Sequence, residues 1–66
     1  MSRFDYEASK KIMIEDPPFY GLIMAAMRKA DFNNLFSLTS AFPEVWDELQ
    51  ERYNAPGGIL ESDGSE

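Results

Sequence analysis

The hydrophobic residues of the chain fall into four stretches whose spacing predicts helices. In the clearest one, which follows Asp16 and Pro17, apolar side chains recur every three or four residues, as on one face of a helix. They are Phe19, Leu22, Ile23, Ala26, Met27 and Ala30, with Tyr20 and Met24 in a second row beside them. Asp16 is a suitable cap and Pro17 a suitable first residue, so the pattern predicts a helix over 17–30 at the centre of a small bundle.

A looser pattern precedes this helix. Ser2 is a suitable N-cap, and it predicts a helix over 3–15 on which Phe4, Ala8 and Ile12 share one face. The helix is expected to end before the prolines, because a residue that precedes proline is pushed out of the helical region.

Two further helices follow. Asp31 predicts the cap of a third helix over 32–41, although the second helix running on through Asp31 with a bend is an alternative. Pro43 predicts the first turn of a fourth helix over 43–53, and the turn residues at 56–58 cannot continue it. The predicted buried stripe of this fourth helix consists of Phe42, Val45, Trp46, Leu49 and Tyr53.

The sequence therefore predicts an all-α fold, a small bundle of three to four short helices in residues 1–55 with a flexible acidic tail in residues 56–66. In the tail, Ile59 and Leu60 either fold back on the bundle or wait for a partner. Gly21 inside the second helix suggests a close approach of another helix or of a partner. The predicted core consists of Phe4, Ile12, Leu22, Ile23, Ala26, Met27, Leu35, Val45, Trp46 and Leu49.

Composition narrows the function. The 66 residues include no cysteine and no histidine, so we expect no nucleophilic triad, no transition-metal site, no catalytic residues and no cofactor; only a carboxylate enzyme stays conceivable. Twelve acidic and six basic residues give a net charge of −6, which disfavours direct binding to nucleic acid and suits a basic protein partner. With neither an apolar run of ~20 residues nor a signal peptide, the chain is expected to be cytoplasmic and not bound to a membrane.

An acidic face on the fourth helix is the first candidate site. Its carboxylates follow one another at helical spacing and are Glu44, Asp47, Glu48 and Glu51. Like charges at this spacing cost a few tenths of a kcal/mol each, so the face is either a plain solvated surface or a docking surface for a basic protein. Arg52 is expected to pair with Glu48 four residues earlier.

An excess of large apolar residues is the second candidate feature. Five Phe, three Tyr, one Trp and four Met are more than so small a bundle hides, so some are expected to form a contact patch or a dimer seam. Tyr20 and Met24 are the preferred contact residues because they lie off the main stripe, and Tyr6, Phe32 and Phe36 are further candidates. A homodimer, or a structural component of a larger particle, is therefore the alternative to a foreign partner.

The stretches 16–31 and 42–58 together resemble small acidic helical proteins encoded by bacteriophages and prophages. The resemblance implies a viral protein that acts in the cytoplasm of a bacterial host. It also implies a non-catalytic interaction protein that inhibits a host nucleic-acid-binding or defence complex, and it carries over no functional residue.

Overall fold

The computed structural model of the protein describes residues 2–64. Within them lie four α-helices, two short 3₁₀ turns and no strand, so the predicted all-α class is confirmed. The helices are α1 (Arg3–Ile14), α2 (Phe19–Lys29), α3 (Phe32–Ala41) and α4 (Pro43–Asn54), and the turns are Pro56–Gly58 and Glu61–Gly64.

Side-chain caps fix two of the predicted helix starts. The Ser2 hydroxyl accepts the backbone N–H of Asp5 at 3.2 Å at the start of α1. The carboxylate of Asp31 accepts the N–H of Asn34 at 2.8 Å at the start of α3, and the extended backbone of Ala30 ends α2 just before it. A continuous helix through Asp31 is therefore wrong, because the cap and the extended residue separate α2 from α3.

The start of α2 differs from the prediction. Pro18 is the N-cap in place of Asp16, and the helix begins at Phe19. Pro17 precedes another proline, which disfavours a helical backbone at that position, while Asp16 adopts a positive φ of 49°. A Cβ on Gly21 would lie 3.2 Å from Cγ of Pro18. The close approach predicted at Gly21 is therefore made by the proline ring of the linker and not by another helix.

The core lies where α2, α3 and α4 pack against one another. Among the described residues only Met27 and Leu49 are fully buried, with 3% and 8% of their surface exposed. The other predicted core residues of these three helices are partly buried, except Ala26, which is exposed. Met24, in the second apolar row of α2, is partly buried, whereas Tyr20 in the same row is 58% exposed. The partly buried members of the predicted core are Leu22, Ile23, Leu35, Val45 and Trp46.

Helix α1 packs against no other helix or turn in the described part of the chain. Phe4 is 81% exposed and Ile12 is 50% exposed, so their assignment to the core is wrong. Tyr53, predicted to end the buried stripe of α4, is exposed as well. The molecule is elongated, with extents of 43 × 28 × 18 Å and a radius of gyration of 14.0 Å. A compact domain of this length would have a radius of about 11 Å.

Candidate protein-binding groove

An open groove of about 460 Å³ lies between the first half of α2 and the start of α4. Tyr20 and Met24 line one side, and Phe42 and Val45 contribute apolar surface from the other. Glu44 and Glu48 complete the lining. Four of the six residues predicted for partner binding thus meet at one site: Tyr20, Met24, Glu44 and Glu48.

Aromatic rings frame one end of this groove. Phe19 stands edge-on to Tyr20 with ring centroids 5.2 Å apart, and edge-on to Phe42 at 6.0 Å. Phe42 occupies the junction of α3 and α4, where its N–H donates to the carbonyl of Leu38 and its carbonyl accepts from Trp46. Edge-to-face contacts of this kind add to the stability of the apolar burial, so the rings hold the start of α2 against that junction.

The acidic face of α4 points away from the core. Glu44, Asp47, Glu48 and Glu51 are all exposed, and only Glu44 and Glu48 also line the groove. Asp47 and Glu51 lie on the solvent side of the same helix. The four carboxylates therefore form one surface that borders the apolar groove along one edge.

Arg52 is the only cation of α4, and it is fully engaged within the chain. Its Nε donates to Glu48 at 3.1 Å, which confirms the predicted pair. Its Nη1 and Nη2 donate to the two carboxylate oxygens of Asp63 at 2.7 and 2.9 Å, and Nη1 also donates to the Gly58 carbonyl at 2.8 Å. The guanidinium therefore ties the C-terminal segment to α4.

The described part of the C-terminal segment is folded back through this contact. The N–H of Leu60 donates to Asp63 at 3.0 Å, and Leu60 is partly buried whereas Ile59 is exposed. Hydrogen bonds from Arg52, and then from the Leu60 N–H, lower the pKa of Asp63 to about 2, and the Asp63 carboxylate raises the pKa of Arg52. The flexibility predicted for 56–66 stays a prediction, and residues 65 and 66 lie outside the described part.

No local pattern in the sequence predicts the contact between Arg52 and Asp63. Arg52 had a nearer partner in Glu48, and Asp63 lies in an acidic stretch without periodicity. Two glycines with positive φ, Gly57 at 63° and Gly58 at 69°, reverse the chain between them. A glycine pair after a helix could have indicated such a reversal, but not its destination.

A second open groove of about 380 Å³ lies on another side of α4 and has a different character. It is bordered by Met27, Trp46, Leu49 and Tyr53, and its charged side chain is Arg28. The two grooves of α4 therefore carry charges of opposite sign, and only the first one combines apolar surface with carboxylates.

The described residues contain neither a cluster of metal ligands nor a helix that could span a membrane. No three acidic side chains among residues 2–64 converge closely enough to hold a metal ion. No helix in that part of the chain combines the length and the apolar composition needed to cross a bilayer.

Comparison of the chain with protein-family models, with curated proteins and with solved structures found no match. The groove and the exposed surfaces of the chain are therefore the features from which its function is inferred.

Proposed function

We propose that the protein is a non-catalytic interaction module that binds a basic segment of a partner protein in the groove between α2 and α4. The observation that carries the proposal is the meeting of Tyr20 and Met24 with Glu44 and Glu48 around one open cavity. An apolar side chain of the partner fits between Tyr20 and Met24, and a flanking lysine or arginine reaches the carboxylates. Methionine suits such a surface because its unbranched side chain adapts to different shapes.

Charge complementarity supports a basic partner over an acidic or a neutral one. Helix α4 carries four carboxylates, and its single cation is already bound to Glu48 and Asp63. Arg52 therefore offsets Glu48 and leaves the other three carboxylates of the acidic face, Glu44, Asp47 and Glu51, without a cation from α4. The net charge of −6 extends the electrostatic attraction for a basic protein beyond the groove. Long-range attraction of this kind raises association rates more than it raises affinity.

The resemblance to bacteriophage and prophage proteins suggests the biological setting of this interaction. In that setting the partner is a host protein whose basic surface normally contacts nucleic acid, such as a component of a defence complex. An acidic module on that surface would compete with phosphate groups for the same cations and would inhibit the host protein.

Peptide binding tests the groove directly. We would titrate the isotope-labelled protein with a lysine–leucine helical peptide and with the glutamate–leucine peptide of the same length, and follow backbone amide shifts by NMR. The basic peptide is expected to shift amides around Tyr20, Met24 and Glu44, and to bind more weakly as salt increases. The acidic peptide is expected to leave them unchanged.

A matched pair of double variants separates local from overall charge. Glu44→Gln with Glu48→Gln neutralises the groove, whereas Glu7→Gln with Glu15→Gln makes the same change in net charge outside it. Each double variant also removes one ion pair with a cation, Arg52 or Lys10. Equal loss of peptide binding in the two variants, or no loss in the first, would refute the groove as the binding site.

A host partner would be sought by affinity capture from bacterial extract, with and without added nucleic acid. A captured protein counts only if it is lost with the Glu44→Gln and Glu48→Gln variant and retained with the Glu7→Gln and Glu15→Gln control.

The amount of exposed apolar surface supports a second candidate function, that of an assembly protein acting as a homo-oligomer or as a particle component. The large apolar residues exposed in the described chain are Phe4, Tyr6, Ile12, Met13, Ile14, Phe19, Tyr20, Phe32, Phe36, Tyr53 and Ile59. At roughly 200 Å² per fully exposed aromatic side chain, the seven aromatic residues, which are spread over all four helices, together offer on the order of 1,000 Å², whereas one side of a standard protein interface buries about 800 Å².

A further inference from the structure

Helix α1 is a short amphipathic helix that packs against no other helix or turn among residues 2–64. It has 12 residues, and isolated helices of this length are marginal in water. Its apolar stripe consists of Phe4, Ala8 and Ile12 at four-residue spacing, and its two large side chains are exposed. Such a helix needs a partner that covers the stripe.

The polar side of α1 has side-chain contacts within the helix itself. Lys10 forms an ion pair with Glu7 at 3.2 Å, and its ammonium lies 5.4 Å from the centre of the Tyr6 ring. Met13 is on the same side as Tyr6, away from the stripe, as the helical period of 100° per residue places it. Tyr6 therefore has a partner in Lys10, whereas neither Phe4 nor Ile12 of the stripe has a ring or charge contact among the described residues.

We propose that α1 pairs antiparallel with α1 of a second copy of this chain, through Phe4, Ala8 and Ile12. This surface is separate from the groove between α2 and α4. The stripe has the order large, small, large, which reads the same in both directions. A two-fold axis at Ala8 therefore places Phe4 of each copy against Ile12 of the other, and the two alanines let the helix axes approach closely.

Charge complementarity along one flank of the stripe supports a second copy as the partner of α1. Helix α1 holds three cations and two anions, a net charge of +1 in a chain of −6. The acidic excess of the chain lies outside α1, so a contact between two α1 helices avoids most of the repulsion between two chains of net charge −6. In the antiparallel pair, Lys11 of one copy lies on the same flank as Glu7 of the other, which favours this orientation.

The linker between α1 and α2 presents α1 to another molecule. Pro17 and Pro18 restrict the backbone, Pro18 is extended with φ −65° and ψ 149°, and its ring rests against Gly21. With the linker in this conformation, α1 lies clear of the other helices and turns of the described chain. Reciprocal pairing between two copies is then possible without a change in the linker.

The seam is small. One face of an ~18 Å helix buries less than the ~800 Å² per partner of a standard interface. We therefore expect a dimer that dissociates in the micromolar range, and a helix content that rises with protein concentration because pairing stabilises α1.

Sedimentation equilibrium and far-UV circular dichroism over a concentration series test this with a matched pair of variants. Ile12 and Met13 are neighbours with nearly equal exposure, 50% and 54%, but lie on different faces of α1. Ile12→Glu is expected to be monomeric throughout and to lose the concentration-dependent helix signal, whereas Met13→Glu is expected to dimerise like the parent chain. Trp46 fluorescence checks that the α2–α4 bundle is intact in both.

Cross-linking tests the geometry, because the chain has no cysteine of its own. Ala8→Cys is expected to form a disulfide-linked dimer under mild oxidation, since a disulfide requires Cα atoms within about 7 Å. Met13→Cys is expected to associate like the parent chain but to form no disulfide-linked dimer, because position 13 lies on the other side of α1. A monomeric parent chain at the highest concentration, equal behaviour of the two glutamate variants, or equal cross-linking of the two cysteine variants would each overturn the proposal. None of these results would affect peptide binding in the groove.

Discussion

Leu49 is the residue through which α4 is most completely buried, and its replacement by alanine gives the sharpest test of the packing. Only 8% of Leu49 is exposed, so nearly all of the deleted isopropyl group is removed from an apolar environment. At about 0.8 kcal/mol per buried carbon group, the three lost carbons account for about 2.4 kcal/mol. Any cavity left behind adds to this, within the ~2–5 kcal/mol typical of such changes.

That loss is large for so small a fold. At ~0.05–0.15 kcal/mol per residue, 66 residues give a total stability of roughly 3–10 kcal/mol. Only two described side chains are fully buried, which places this protein near the lower end. Leu49→Ala is therefore expected to lower the midpoint of thermal unfolding by about 10–20 °C, at ~4–8 °C per kcal/mol. Leucine and alanine have similar helix propensities, so the change measures packing and not helix formation.

The measurement is thermal unfolding followed by fluorescence of Trp46, the single tryptophan, which lies in α4 beside Leu49 and Met27. Fluorescence is preferred to circular dichroism because α1 does not pack on the bundle and contributes its own helix signal. The control is Ile14→Ala, since Ile14 is 82% exposed on α1 and its loss should change the midpoint little. A loss below about 0.5 kcal/mol for Leu49→Ala, or an equal loss in the control, would refute this account of the core.

Two further predictions concern the caps and the C-terminal segment. Arg52 lowers the pKa of Asp63 from an ordinary 3.8 to about 2. The contact between them is therefore stabilising above about pH 4 and is lost as the pH falls toward 2. NMR shifts of the Gly58 and Asp63 amides should follow this titration, and Asp63→Asn should abolish it. Asp31→Ala removes the acceptor of the Asn34 N–H and should destabilise the bundle by about 1 kcal/mol in thermal unfolding, whereas an unchanged midpoint would mean that the cap is not formed in solution.

Local sequence signals predicted most of the helix boundaries. Caps and prolines act on the backbone within three or four residues, so Ser2, Asp31 and Pro43 placed the starts of α1, α3 and α4 correctly. The start of α2 was misplaced by two residues because Asp16 had the properties of a cap while the second of two prolines moved the helix start. This error also concerns residues next to the helix start, so the two consecutive prolines in the sequence were enough to avoid it.

The same local signals did not predict which elements pack against each other. The stripe of Phe4, Ala8 and Ile12 showed that α1 is amphipathic, but periodicity does not say which surface covers an apolar face. The prediction therefore placed Phe4 and Ile12 in the core of their own chain, where the structure leaves them exposed. In α2, two adjacent apolar rows were available, and the position of α4 decided that Met24 and not Ala26 is partly buried.

The candidate site also combines features that follow from the sequence with contacts that only the fold creates. The sequence by itself determined which carboxylates share a face of α4, because residues three and four apart in a helix are always neighbours. Only the tertiary structure brought Glu44 and Glu48 beside Tyr20 and Met24 from another helix, and joined Arg52 to Asp63 eleven residues later. Contacts within a helix follow from its period, whereas contacts between elements depend on how the chain turns and on which faces are left to cover, and those are properties of the whole fold.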